Sequence, residues 1–269
     1  MWTADKWKDY TVIDTSSGEK LERWGKYTLV RPDPQVVWKT DKKDPLWRNA
    51  DASYKRSSSG GGKWSENRLP ESWVISYGDL NFKIKPMGFK HTGLFPEQAA
   101  NWDWFSELIR EAGRPIKVLN LFAYTGGAPV AAAKENARLS GLEDAPIRYI
   151  VDDCKKFVER EIRRGNKYDG IIMDPPSYGR GPTGEVWKIE ENIDEFVELV
   201  SGVLSDEPLF FLLNSYTTGL SASTMKYITT VRLLSKKQGY SEADELGLPV
   251  KNTGLALPCG SSVRVTFKK

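Results

Sequence analysis

A chain of 269 residues, 39% hydrophobic and 28% charged with a mean hydropathy of −0.49, has room for one large domain and an appendage. No apolar run nears the ~20 residues of a membrane span, and MWTADKWKDY has no signal-peptide core, so a cytoplasmic protein without membrane contact is expected. Two cysteines, Cys154 and Cys259, and one histidine, His91, exclude a disulfide framework and a thiolate or His-rich metal centre, and the net charge of +3 fits a nucleic-acid partner without demanding one.

In chain order, residues 8–90 read as short strands between turns: YTVID, YTLVR, QVVW, SWVISY and NFKIK. Between them lies a Gly/Ser-rich surface loop carrying Lys55, Arg56, Lys63 and Arg68. From Pro96 the period changes to helix and strand in alternation. Ala99, Trp102, Phe105, Leu108 and Ile109 predict a helix. KVLNLF (117–122) predicts a buried strand, 128–139 a helix, IRYIV (147–151) a strand, and Cys154 to Ile162 a helix. YDGIIMD (168–174) is a strand ending in an acid. A helix over 193–204, a strand over 209–213 and a helix over 222–238 follow. Two closing strands, near 253–257 and 262–267, are expected as an antiparallel pair. The prediction is an α/β fold with a small β-rich substrate-recognition domain over 1–90 and a Rossmann-like domain with helices on both faces over 91–269.

Three segments carry the chemistry. NLFAYTGG (120–127) follows a strand, where open α/β sheets bind ligands. Gly126 and Gly127 let a backbone approach a ligand; the pattern is not G-x-G-x-x-G, which argues against a nicotinamide dinucleotide. DPPSYG (174–179) stiffens a strand end with two prolines. It presents the Asp174 carboxylate and the following carbonyls of Pro175 and Pro176 as acceptors for a base amine, with Tyr178 placed to stack. In VDDCKKF (151–157), Asp153 is either an acceptor for an adenine amine or a helix N-cap.

Together NLFAYTGG, ENARLSGL, VDDC, DPPSYGRGP and LFFLLNSYTTGLS resemble class I S-adenosylmethionine-dependent methyltransferases. More narrowly they resemble the branch related to bacterial 23S ribosomal RNA large-subunit methyltransferases, to which HTGLFPEQAANWDW (91–104) is also similar. The resemblance covers about residues 80–269. It implies S-adenosylmethionine as cofactor, a base in RNA as substrate and ribosomal RNA as partner. It places Phe122, Tyr124, Gly126 and Gly127 on the methionine side, Asp153 toward adenine, Gln98 closing the site, and Asp174, Pro175 and Pro176 beside the reacting methyl.

The chain departs from that pattern at one point. Eight residues, 128–135, separate Gly127 from Asn136. A helix, a turn, a strand and another turn need roughly 20. The second strand and its ribose-holding acid are therefore expected to be absent. A degenerate domain that binds RNA without catalysis is the alternative that this raises.

Overall fold

The computed structural model describes residues 1–57, 61–65, 68–87, 92–123, 127–181 and 184–268, with the side chains of 127–129 left aside. The first part of the chain is β-rich: β1 (Trp2–Thr3), β2 (Tyr10–Ser16), β3 (Glu19–Trp24), β4 (Tyr27–Pro32), the short helix α1 (Leu46–Asn49), β5 (Ala52–Arg56), β6 (Gly62–Ser65), β7 (Trp73–Tyr77) and β8 (Leu80–Ile84). Strands β2 to β6 form a five-stranded sheet in sequence order, and β7 and β8 a hairpin. Alternating apolar residues pack inward around the fully buried Trp24 and Leu29, joined by Tyr10 and Ile75. QVVW, expected as a strand, is irregular: Val36 and Trp38 give their carbonyls to Gly18 and Ser17 at the β2–β3 turn instead of entering a ladder.

The remainder alternates helix and strand. A 3-10 turn (Pro96–Gln98) leads into α2 (Ala99–Glu111). Then come β9 (Val118–Leu121), α3 (Gly127–Leu139), α4 (Cys154–Arg163), β10 (Gly170–Met173), the small hairpin β11 (Tyr178–Arg180) and β12 (Val186–Lys188), and α5 (Ile189–Ser201). The last elements are β13 (Phe210–Ser215), α6 (Ala222–Thr229) running into a π turn (Thr230–Leu234), β14 (Gly239–Pro249) and β15 (Ala256–Phe267). Six strands make one sheet in the order β1-β14-β15-β13-β10-β9, with β9, β10 and β13 parallel and β15 antiparallel to β13 and β14. The two terminal parts of the chain meet here, because β1 adds to the outer edge of β14.

β13 sits centrally and all six of its residues are buried. Each fully buried Phe or Leu there contributes about 1.5–3 kcal/mol. Its alternate side chains serve two layers. Phe211 and Leu213 join the core that α4, α5 and α6 close with Val158, Phe196, Val197 and Met225. On the opposite face the Phe210 ring is stacked by Phe105 of α2 at 5.8 Å. Gly170, register partner of Phe210, permits this: a Cβ there would lie 2.5 Å from the ring. Helices thus cover both faces, as expected, and among the described residues no helix is long and apolar enough to cross a membrane.

Two further sequence expectations are corrected. IRYIV is not a strand: residues 147–151 have no ladder partner, and Ile147, Ile150 and Val151 are exposed. A β-run this short holds only against a neighbouring strand, and β9 is the sheet edge, hydrogen-bonded on one side to β10. The last two strands span 239–249 and 256–267, and 250–255 is the turn between them. β14 was hidden by Glu242, Asp244 and Glu245, which an outer strand paired with β1 at Leu246 and Gly247 can carry in solvent.

Candidate active site

Register places the site. Met173 lies opposite Leu121 in the parallel β9–β10 ladder, so Phe122 and Asp174, the next residues, leave the sheet side by side at its carboxyl end. Both line one cleft of about 800 Å³. One wall is Asp174, Pro175, Pro176, Ser177 and Tyr178; another is Phe95, Glu97 and Tyr216; the third comes from the β-rich part, with Lys20, Arg31 and Asp33.

Phe122 has φ of +60°, a left-handed conformation rare for an aromatic residue. Its ring is fixed by Trp187 at 5.7 Å and Phe196 at 5.4 Å. Such strain is held at functional turns by surrounding packing. Asp174 accepts a hydrogen bond from the Asn214 amide at 2.9 Å. Removal from water raises its carboxyl to about 6, the Asn214 bond opposing this and the charge of Glu97 adding to it. The Trp187 indole donates to the Pro176 carbonyl at 2.6 Å. Of the two proline carbonyls, that of Pro176 is thus already engaged by Trp187. Tyr178 is half exposed at the cleft mouth, where its hydroxyl accepts from Arg180 Nε at 2.7 Å.

The structure brings Asp174, Pro175, Pro176, Tyr178 and Phe122 to one cleft and leaves others aside. Gly127 opens α3, while Tyr124 and Gly126 lie outside the described residues. Asp153 is the N-cap of α4, accepting from the Lys156 amide at 2.8 Å, and does not line the cleft. Gln98 points into a buried hydrogen-bond chain between Asn101 and Tyr216. Sequence reasoning passed over Glu97, Asn214 and Tyr216. A polar Asn214 closing the apolar run LFFLL was the available signal for one of them, since an amide buried there must have a partner.

The third wall is built on ions. Glu22 is fully buried and bound by Arg31 Nε at 2.6 Å and by the Tyr10 hydroxyl at 2.5 Å, with Lys20 3.5 Å away. Burial alone would raise its carboxyl, but Arg31 and Lys20 overcome that and hold it down to about 2. Lys20 also reaches Asp33 at 3.2 Å.

For S-adenosylmethionine, the residues present fit the reacting end: the Phe122 ring offers an apolar surface, and Asp174 with Pro175 offers acceptors beside it. Among the described residues the acids on the cleft are Asp33, Glu97 and Asp174. None of them lies between Gly127 and Asn136, where the resemblance would put an acid to hold a ribose.

No family model matches the chain. Its relatives include the ribosomal RNA large subunit methyltransferases K/L of Shewanella frigidimarina, 28% identical over 160 residues, and of Pseudoalteromonas atlantica, 30% identical over 132 residues. These matches take in 52% and 41% of this chain but 21% and 18% of those proteins, so the chain spans about a fifth of the length of these two relatives. Among solved structures, the tRNA m1G37 methyltransferase of M. jannaschii superposes with a TM-score of 0.51 at 10% identity, a likeness of fold alone. The S-adenosylmethionine-dependent methyltransferase from Agrobacterium tumefaciens superposes with a TM-score of 0.91 at 33% identity, over 99% of this chain and 93% of that one. None of these relatives favours the inactive alternative. With a third of its residues shared along nearly the whole of both chains, and the Asp174–Pro176 corner facing the cleft, the protein belongs to the S-adenosylmethionine-dependent methyltransferase family.

Proposed function

We propose that the chain methylates a nitrogen of a base in RNA, ribosomal RNA being favoured by the names of the curated relatives. The carrying observation is the acceptor pair of Asp174 and Pro175 on a cleft whose far wall comes from the β-rich part of the chain. Bound S-adenosylmethionine supplies an electrophilic methyl group. The protein's own work is alignment. Asp174 and the Pro175 carbonyl accept N–H bonds from the base and turn the nitrogen lone pair toward Phe122. Tyr178 stacks on a base that has left its helix. At neutral pH Asp174 is ionised and takes up the proton that the nitrogen sheds. A carbon target is disfavoured because it calls for a thiolate. Burial pushes up both thiols, Cys154 beside Phe122 and Cys259 on the cleft wall. The β-rich residues 1–90 serve as the substrate-recognition domain, with Lys20 and Arg31 closest to the base.

The test is transfer of labelled methyl to ribosomal RNA depleted of modifications, followed by digestion to nucleosides. Label on an N-methyl base is the expected outcome. Label on C5 of a pyrimidine, or on protein alone, overturns the reading.

We infer further that the strand and ribose-holding acid expected between Gly127 and Asn136 are missing, a reading supported by α3 running unbroken from Gly127 to Leu139. A hydrogen bond to a charged group is worth about 1.5–3 kcal/mol, so affinity for the cofactor should be correspondingly modest and blind to the ribose hydroxyls. Calorimetry with S-adenosylhomocysteine and its 2′,3′-dideoxy analogue should give dissociation constants within about twofold of each other. A difference of tenfold or more, which such a hydrogen bond would produce, reinstates a ribose-reading group.

A further inference from the structure

Behind the cleft runs a continuous chain of buried polar groups whose direction is set by one residue. Arg264 of β15 is 8% exposed, its guanidinium 3.8 Å from the ring centre of Trp2 and 5.4 Å from that of Trp104. A guanidinium has five N–H donors and no acceptor. Its Nε meets the Asn101 side chain at 3.0 Å, so the atom met there is the amide oxygen; a second N–H goes to the Ala100 carbonyl at 2.8 Å. The Asn101 amide nitrogen therefore faces away and donates to Ser262 Oγ at 3.0 Å and to Gln98 Oε1 at 2.9 Å.

From Asn101 each branch has one sense left. Ser262, having accepted, donates to Asn214 Oδ1 at 2.7 Å, and the Asn214 amide donates to Asp174 at 2.9 Å. Gln98, having accepted, donates to the Tyr216 oxygen at 2.9 Å, which leaves the Tyr216 proton to turn toward the neighbouring Glu97 carboxylate. Asn101, Asn214 and Ser262 are all buried in apolar surroundings, where an unmatched polar atom costs about 1–3 kcal/mol. A single mismatch therefore reverses a branch instead of being tolerated.

We propose that Arg264 and Asn101 are positioning residues that polarise this chain, so that Asp174 and Glu97, its two ends in the cleft, both stand as hydrogen-bond acceptors toward the substrate. The group received between them brings N–H donors to both, as an amine-bearing base edge does. Around Asp174 the titratable groups are Glu97 of the 3-10 turn and Tyr216 after β13. Among the described residues neither Asp174 nor Glu97 makes an ion pair; burial sets the direction in which each carboxyl is shifted, and for Asp174 the Asn214 hydrogen bond at the end of the chain opposes it.

The proposal deepens the methyl-transfer reading of the same cleft, but its test uses the chain alone, without cofactor or RNA, so the two fail separately. Asn101→Asp keeps the shape and the Arg264 contact but has no N–H to give. Ser262 must then turn its hydroxyl back and Asn214 must flip. An amide oxygen would face Asp174, an arrangement that is stable only with a proton on that carboxyl. Carbon-13 NMR of aspartate-labelled protein follows Asp174, assigned by the signal lost in Asp174→Asn. The midpoint, about 6 in the unaltered chain, should rise by a unit or more in Asn101→Asp, a tenfold gain in proton affinity. It should rise less in Ser262→Ala, which removes a single oxygen and no charge. In the double variant the Asn101→Asp effect should largely vanish, because the link that transmits it is gone. An Asn101→Asp shift that persists in full without Ser262, or an unmoved midpoint in either folded single variant, overturns the proposal. If Asn101→Asp does not fold, Ser262→Ala decides alone.

Discussion

Asp174→Asn should lower the methyl-transfer rate by about 10²- to 10⁴-fold, the usual weight of a positioned acid–base group, while raising the melting temperature. Both effects have one cause. Burial raises the Asp174 carboxyl from 3.8 to about 6, so the folded chain holds that proton more tightly than the unfolded chain does. Stability from this group is greatest below pH 3.8 and falls as pH climbs toward about 6, where the buried charge forms. An amide at position 174 carries no charge and keeps an oxygen for the Asn214 contact, so the folded state gains. The rate moves the other way, because a neutral amide takes no proton and turns an N–H toward the base. In the unaltered protein the rate should rise with pH through a midpoint near 6, and that rise should be absent from the variant. Initial rates between pH 5 and 8, with thermal melts at the same pH values, provide the check. A variant with an unchanged rate would remove Asp174 from the reaction.

Glu22→Ala should destabilise the chain by about 3–5 kcal/mol, the cost of stranding buried partner charges. The Glu22 side chain is fully buried and that of Arg31 is 7% exposed, so water can reach neither Arg31 nor Lys20 well enough to replace the carboxylate. Sign and pH window follow from the depressed carboxyl. Glu22 titrates near 4.5 when unfolded and near 2 in place. Its contribution is therefore complete above about pH 4.5 and is lost as pH falls from there toward 2. Urea denaturation of the variant at pH 7, and of the unaltered chain between pH 7 and 3, measures both. Since Lys20, Arg31 and Asp33 also line the cleft, the variant should lose substrate affinity beyond its loss of stability. A loss below 1 kcal/mol would mean that the cluster relaxes into solvent.

The two cases differ in how far they could be read in advance. DPPSYG announced itself, because an acid and two prolines at the end of an apolar strand restrict the backbone locally, whatever the rest of the chain does. Glu22 gave no such sign: in EKLERW it reads as one charge of an alternating surface strand, and only the fold of the β-rich sheet over it makes it a buried centre. Asp153 carried two sequence readings, and its local role, capping α4, is the one the structure displays. IRYIV has the composition of a strand, yet it lies exposed because strand formation requires a partner and the sheet ends at β9 without taking it in.

What the sequence determined by itself was local: the strands that end at Leu121 and Met173, the helices between them, the rigid corner at Asp174, and the shortening after Gly127. These depend on periodicity and backbone restriction over a few residues. What only the tertiary structure decided was convergence. It brought Glu97, Asn101, Asn214, Tyr216, Ser262 and Arg264, up to 167 positions apart in the chain, into one buried network, and it set Lys20 and Arg31 opposite Asp174. No local pattern encodes such partnerships, because the free energy of a buried polar group depends on which distant atom completes its hydrogen bond.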